Sequence, residues 1–218
     1  MVPDLLANPL SIELALTHRR FWWQIDDEDE QPERWEAIAE VSGLDLCPEE
    51  HRRVGNVSLV IADLTTEQNL LDSAVLGEWA LEFIAETVMD PARGTLHPEL
   101  SSGISPGPPR MVILRRLFLT ESWRGHGLGA ALVASALRIL SPNARLAACR
   151  VSPLAFISDK PDRVSAELAS VRMAKMLEGV GFRCWRGVHV IDLRDPVLLE
   201  ARMDVLSQWW PQPDRDEM

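Results

Sequence analysis

The hydrophobic and polar positions change period twice in the second half of the chain. Residues 111–119 (MVILRRLFL) are aliphatic apart from two arginines and a phenylalanine, a pattern that predicts a strand. A short turn-like stretch follows, and the residues up to Leu140 are rich in alanine and leucine, which predicts a helix. Further along, the pattern predicts a strand at residues 144–151, a loop at 153–162, a helix at 163–178, and one strand or a bent pair at 182–193.

The first half of the chain predicts a mixture of strands and helices. Residues 11–25 predict one strand or two short ones, with Phe21, Trp22 and Trp23 in a buried aromatic cluster. Residues 54–64 alternate and are apolar enough to form another strand. The remaining predicted elements are a short helix at residues 33–41, a connector at 43–50, a helix at 69–89, an irregular loop at 90–110 and a terminal helix at 196–210.

The turn between the central strand and helix, Arg124-Gly125-His126-Gly127-Leu128-Gly129, has the features of an anion-binding site. The first backbone N–H groups of a helix lack intrahelical partners, and the helix dipole adds partial positive charge there. Glycines let the backbone approach a phosphate closely because they have no Cβ. Arg124 adds a planar, permanently charged guanidinium beside them. The sequence therefore predicts a diphosphate site at this turn.

Two common phosphate-binding loops fit this turn poorly. The P-loop pattern requires Lys-Ser or Lys-Thr after the glycines, and neither pair is present. The dinucleotide fingerprint is formally satisfied by Gly125, Gly127 and Ala130. That fingerprint also needs an acidic residue at the end of the next strand, and residues 144–151 are followed by Ser152-Pro153 without a carboxylate. A dinucleotide-binding oxidoreductase remains a minor alternative.

The segment LFLTESWRGHGLGAAL resembles motif A of the GNAT superfamily of N-acetyltransferases. In that resemblance Leu119 takes the strand-end position, Trp123 the aromatic position and Arg124 the Gln/Arg position, and Gly127 and Gly129 are the pyrophosphate-loop glycines. Glu121 stands where proline is common. The segment VRMAKMLEGVGFRCWRGVHVIDL resembles the last helix of the superfamily and its Gly-Phe strand entry. Together the two segments cover roughly residues 111–193.

The resemblance implies an α+β (mixed α/β) fold, with a central, mostly antiparallel twisted sheet flanked by helices. The strand at residues 54–64 is expected to pair antiparallel with the motif A strand. The predicted helix at 69–89 is an addition before the fourth strand, and we expect it to shape the acceptor pocket. We expect a single domain over residues 1–218, with flexible tails at 1–10 and 211–218.

The resemblance further implies an acetyl-CoA-dependent N-acetyltransferase that moves the acetyl group directly to an amine of a small molecule or peptide. The pyrophosphate would lie on the backbone N–H groups of residues 125–130, and the pantetheine arm would pair with the main chain at Leu117 and Leu119. The implied donor-binding residues are Leu117, Phe118, Leu119, Arg124, Gly125, His126, Gly127, Leu128, Gly129 and Ala130.

The catalytic positions depart from the superfamily. The position that often bears a tyrosine acid is Leu177, and the chain has no tyrosine. Positions that bear a glutamate base in some members correspond to Ile113 and Ala147, and Ser152 stands where asparagine is frequent. Ser152 and Cys149 are the candidate substitutes, although a turn serine and a core cysteine are the simpler interpretations. The alternative is therefore a non-catalytic acyl-CoA-binding or protein-interaction module that kept the fold.

Composition limits the classes of partner and the cell compartment that we expect for this protein. A net charge of -11 argues against nucleic acid, and the acidic run at residues 26–30 is a solvated loop or a lip that attracts a cationic acceptor. Three widely spaced cysteines predict neither a disulfide framework nor a metal site. No apolar run is long enough to span a membrane, and the N-terminus lacks the pattern of a secretory signal. We therefore expect a cytoplasmic protein, and a homodimer is compatible with the fold.

Overall fold

The computed structural model describes residues 5–19, 22, 33–43, 45–65, 79–159, 162–207 and 209. The described strands are β1 (Ile12–Arg19), β2 (Glu33–Val41), β3 (Arg53–Asp63), β4 (Met89–Asp90), β5 (Thr95–Leu96), β6 (Arg110–Leu119), β7 (Leu146–Cys149), β8 (Arg183–Trp185) and β9 (Val188–Asp192). The described α-helices are α1 (Trp79–Val88), α2 (Pro98–Ser102), α3 (Leu128–Leu140), α4 (Arg163–Val180) and α5 (Val197–Ser207).

Seven of the strands form one mixed sheet in the order β1-β2-β3-β6-β7-β9-β8. All neighbours pair antiparallel except β6 and β7, which are parallel and are connected through α3. The small strands β4 and β5 form a separate antiparallel pair. The fold is thus mixed α/β with a mostly antiparallel sheet flanked by helices, as predicted, and β3 pairs antiparallel with the motif A strand as expected.

The sheet has a hydrophobic core on each face. Along β6, Val112 and Leu114 belong to the core on the face covered by α3, α4 and α5. Met111 and Ile113 belong to the core on the opposite face, which includes Ile84 of α1. A strand buried on both faces needs a continuous apolar run rather than alternation, and this explains the run at the start of β6.

The parallel strands β6 and β7 pair along only part of their length. Their register joins residues 111–113 to residues 146–148, and β7 ends at Cys149 while β6 continues to Leu119. Pairing of β6 with β3 is interrupted between Ser58 and Leu59, where β6 carries one extra residue. The two parallel strands therefore separate, and the last part of β6 presents an edge that β7 does not cover.

The predicted helix at residues 33–41 is wrong, because Glu33–Val41 forms strand β2. Its alanines and glutamates have high helix propensity, which favoured the wrong assignment. The decisive pattern is the period of two, since Ala37, Ala39 and Val41 are buried against the first core, whereas Glu40 is exposed. Neighbouring strands on both sides, β1 and β3, satisfy the backbone of β2 and override the local propensity.

Several other predictions change in detail. Trp22 is 93% exposed and does not join a buried cluster, while Phe21 and Trp23 lie outside the described residues. Residues 69–78 of the predicted added helix also lie outside them, and the described part is α1. The predicted loop at 90–110 contains β5 and α2, and the segment at 182–193 is the predicted bent pair, β8 and β9. Leu5 and Ala7, predicted to belong to a flexible tail, pack against the core.

Candidate functional site

The glycine-containing turn places an open helix N-terminus at the end of β6. Gly127 is the N-cap of α3 with φ +75°, a left-handed conformation that glycine adopts without strain. Gly125 also has a positive φ of 85°. Because the cap residue has no side chain, no side-chain oxygen caps the first turn of α3. The N-terminal amides and the dipole of this helix are therefore directed at the space beside β6.

The buried side chain of Trp123 anchors the turn to the core and to the segment just before β3. Trp123 is fully buried, and its indole Nε1 donates a hydrogen bond to the carbonyl oxygen of His51 at 2.9 Å. Gly129 lets α3 approach β6, since a Cβ at this position would lie 3.1 Å from the Leu117 side chain. Both residues fix the position of the N-terminus of α3, and neither needs to contact a ligand through a side chain.

The main chain of β6 presents backbone groups to the edge that β7 leaves uncovered. Thr120 N–H donates to Val54 O of β3 at 2.9 Å. Backbone groups of successive strand residues point to alternate edges, so those of Leu117 and Leu119 point away from β3 toward the edge that β7 leaves uncovered. One of these groups is engaged, because Arg124 Nε donates to the carbonyl oxygen of Leu119 at 2.9 Å.

A cleft of about 770 Å³ lies between this edge, the glycine turn and α4. Seven of the predicted donor-binding residues line it: Leu117, Leu119, Gly125, Gly127, Leu128, Gly129 and Ala130. The opposite wall was not predicted and consists of Phe156, Ser165, Leu168, Ala169, Arg172, Met173 and Met176. The six of these that belong to α4 recur every three or four residues, the spacing of one helix face, which was the available signal.

Three predicted donor-binding residues do not line the cleft. Phe118 is on β6, and its ring is partly exposed. The guanidinium carbon of Arg124 lies 5.8 Å from the centre of that ring, in addition to the hydrogen bond with Leu119 O. His126 lies partly buried in the turn itself.

The two candidate catalytic residues lie at and after the end of β7. Cys149 is 3% exposed, and burial raises the pKa of its thiol to about 12. Ser152 is also buried, and its Oγ accepts a hydrogen bond from Leu154 N–H at 3.3 Å. Neither residue lines the cleft.

Cys149 has a buried histidine as its cross-strand neighbour. His189 of β9 is opposite Cys149 and, on its other side, opposite Cys184 of β8. Burial lowers the pKa of His189, the charge of Glu178 raises it, and the charge of Arg150 lowers it, with a net lowering. The His189 Nδ1 atom is buried and has no hydrogen-bond partner among the described residues.

The described residues lack two other kinds of functional feature. They contain no group of three or more histidine, cysteine or acidic side chains that could hold a metal ion. None of the helices in this part of the chain has the length and apolarity needed to cross a bilayer.

Comparisons with known proteins add little to this geometry. No family model matches the sequence, and no curated protein matches it. A solved structure that is similar in part is a tyrosine-to-phenylalanine mutant of KacT. The two chains are 12% identical with a TM-score of 0.36, and the similarity covers 79% of this chain and 76% of that one. A similarity this distant carries no argument about function.

Proposed function

We propose that this protein is an acyltransferase that moves an acetyl group from acetyl-CoA to the amine of a small molecule or peptide. The observation that carries the proposal is the cleft itself. It combines an uncapped helix N-terminus with a strand edge that β7 leaves uncovered, and both lie on one continuous surface. The first feature suits a diphosphate, and the second suits the amides of a pantetheine arm.

The proposal gives most of the donor contacts to the backbone. The N-terminal amides of α3 would hold the diphosphate, and the outward-pointing groups of Leu117 and the N–H of Leu119 would pair with the amides of the arm, since the Leu119 carbonyl is bound by Arg124. Apolar side chains on both walls, such as Leu128 and Met173, would exclude water from the arm. A donor held in this way presents its thioester in one orientation, and orientation alone supplies a large part of the rate acceleration.

In the transfer step the amine nitrogen attacks the carbonyl carbon of the thioester. A C–N bond forms, the tetrahedral intermediate collapses, and the C–S bond breaks with release of the thiolate. The nitrogen loses a proton to water, and the thiolate gains a proton from water; the Ser152 hydroxyl, which does not line the cleft, would take part only through such a water. The proposal gives Cys149 no covalent role, because a thiol with a pKa of about 12 stays protonated at neutral pH.

A second candidate function is supported by the side chains of the cleft. Among its described lining residues only Ser165 and Arg172 have polar side chains, and the chain contains no tyrosine. A cleft without an acid or base of its own also suits a non-catalytic acyl-CoA-binding module. The two candidates share the donor site and differ in whether free CoA thiol is produced.

The donor site is tested with a charge placed in the first turn of α3. Ala130 lines the cleft at a position where Glu is compatible with the helix, because a negative charge near a helix N-terminus is favourable. Ala130→Glu should therefore fold normally and weaken acetyl-CoA binding by about a hundredfold through repulsion of the phosphates. Ala130→Gln, whose side chain has nearly the same shape as Glu and no charge, is the matched control. It should weaken acetyl-CoA binding by roughly tenfold at most, because the longer side chain crowds the cleft. Equal acetyl-CoA affinities for the two variants, measured by isothermal titration calorimetry, would show that the phosphates do not bind near this position.

The transfer itself is tested by release of CoA thiol from acetyl-CoA in the presence of a broad panel of amines. Release that depends on both amine and protein supports the acyltransferase. Tight acetyl-CoA binding without release for any amine favours the binding module. Ser152→Ala separates the proton sources. Loss of a hydroxyl that helps to protonate the leaving thiolate should lower kcat by about a hundredfold, whereas loss of a serine that only shapes a turn should leave kcat unchanged.

A further inference from the structure

We propose that Arg172 of α4, rather than Arg124 of the glycine turn, is the side chain that contacts the phosphates of the donor. This inference rests on the proposed function and assigns a residue of its site. Arg172 belongs to the wall that the sequence pattern did not predict. It lies across the cleft from Gly127 and Gly129, at the N-terminal end of α3.

Arg124 is positioned to support the strand rather than to face the cleft. Its Nε donates to Leu119 O at 2.9 Å, and its guanidinium lies against the ring of Phe118. Arg124 does not line the cleft. The Nε hydrogen bond holds the Arg124 guanidinium beside the last carbonyl group of β6, outside the set of residues that line the cleft.

Arg172 has the placement that Arg124 lacks. It is the one positively charged residue among the described residues that line the cleft. Its exposed side chain makes no hydrogen bond or ion pair within the part of the chain that the structure describes, so it can move to meet a ligand. The acidic neighbour Glu167 on the same helix is engaged by Arg163 at 2.9 Å.

The chemistry of a diphosphate matches this arrangement. A guanidinium can donate two parallel hydrogen bonds to phosphate oxygens, and the helix amides approach the same group from the other wall. The chain as a whole is acidic, with a net charge of -11, and therefore repels a polyanionic donor at long range. A local cation at the cleft offsets that repulsion where the donor binds.

The test compares two substitutions on α4, each of which replaces a positively charged side chain with glutamine. Arg172→Gln removes the cation that lines the cleft, and Lys175→Gln removes the same charge from an exposed position that does not line it. Acetyl-CoA is the charged probe, and pantetheine, which has the same arm without phosphates, is the neutral probe. Both variants should keep the thermal midpoint of the unmodified protein, because both side chains are exposed.

We expect Arg172→Gln to weaken acetyl-CoA binding by about ten- to thirtyfold and Lys175→Gln by less than about twofold. Pantetheine affinity should not change in either variant. The salt dependence of acetyl-CoA binding should also become shallower only in Arg172→Gln. Arg124→Gln should weaken acetyl-CoA binding less than Arg172→Gln does.

Two results would overturn the assignment. Equal acetyl-CoA affinities for Arg172→Gln and Lys175→Gln would show that Arg172 does not contact the phosphates. An equal loss of pantetheine affinity in Arg172→Gln would show that it shapes the arm site instead. In both cases the unmodified protein still binds acetyl-CoA, and the proposed function stands. Absence of acetyl-CoA binding by the unmodified protein would overturn the proposed function and this assignment together.

Discussion

The two walls of the cleft are built on different physical principles. In the proposed donor site, the wall formed by β6, the glycine turn and α3 would bind mainly through backbone groups, and several of its side chains set the path of the chain. Trp123 and Gly129 are examples, since one anchors the turn and the other allows a close approach. The wall formed by α4 would bind through side chains that line the cleft, such as Arg172 and Met173. We therefore expect substitutions of Trp123 or Gly129 in the first wall to change both folding and binding, and substitution of the exposed Arg172 in the second wall to change binding alone.

Trp123→Ala is the largest expected effect and tests the first wall. Removal of a fully buried tryptophan should lower the free energy of unfolding by about 3–5 kcal/mol. The measurement is urea unfolding followed by circular dichroism. Trp22→Ala is the matched control, because that side chain is 93% exposed and its removal should change the free energy by less than about 0.5 kcal/mol. Similar losses for the two variants would contradict the anchoring role of Trp123.

Two glycines sharpen the comparison between the walls. Gly129 of α3 has Leu117 close to its missing Cβ, whereas Gly179 of α4 has open space there. Gly179→Ala should raise the free energy of unfolding by about 0.5–1 kcal/mol, since alanine is the better helix former. Gly129→Ala should not gain this stability, because the Leu117 side chain must move to make room for the added methyl group. Equal stabilisation of both variants, measured by urea unfolding, would show that α3 does not approach β6 as closely as described.

The face of the sheet that α4 covers contains Cys149 and, opposite it on β9, His189, and this predicts a pH dependence. Its folded pKa is lowered from 6.5 chiefly by burial, so near that pH the unfolded state binds more protons. The stability contributed by neutral His189 is present above pH 6.5 and is lost as the pH falls toward the folded pKa. The facing groups are Glu178, Arg150 and the two neighbouring cysteines.

The check is the free energy of unfolding at pH 7.5 and 5.5 for the unmodified protein and His189→Gln. The difference between the two pH values should be smaller in the variant, because glutamine does not titrate. An unchanged difference would mean that other groups carry the pH dependence.

Thiol labelling gives the smallest expected effect and reports on β7 and β8, the two strands beside His189. Cys184 is exposed, whereas Cys47 and Cys149 are buried. Burial raises the pKa of Cys149 to about 12, and only the thiolate reacts. One thiol should therefore react rapidly with an aromatic disulfide reagent, and Cys184→Ser should abolish the fast phase. A fast phase that persists in Cys184→Ser would show that the segment around Cys47 or Cys149 opens readily.

The difference between the walls also explains how much the sequence predicts. Local signals specify β6, the glycine turn and α3, because glycine conformation and helix capping depend on neighbouring residues. The strand β2 was missed because its alanines and glutamates favour a helix until β1 and β3 supply their hydrogen bonds. The placement of Arg172 was missed because it depends on how α4 packs across β6 and β7. Helical spacing identifies a face of α4 but not what that face meets.

Thermal unfolding of the unmodified protein with acetyl-CoA, CoA and NADH tests the central claim most directly. A ligand at a hundred times its Kd adds about 2.7 kcal/mol of stability, and each kcal/mol raises the Tm of a chain of this size by about 2–4 °C. We predict a rise of several degrees with acetyl-CoA and no rise with NADH. A midpoint that stays constant with both acetyl-CoA and CoA would contradict the assignment of this cleft as a donor site.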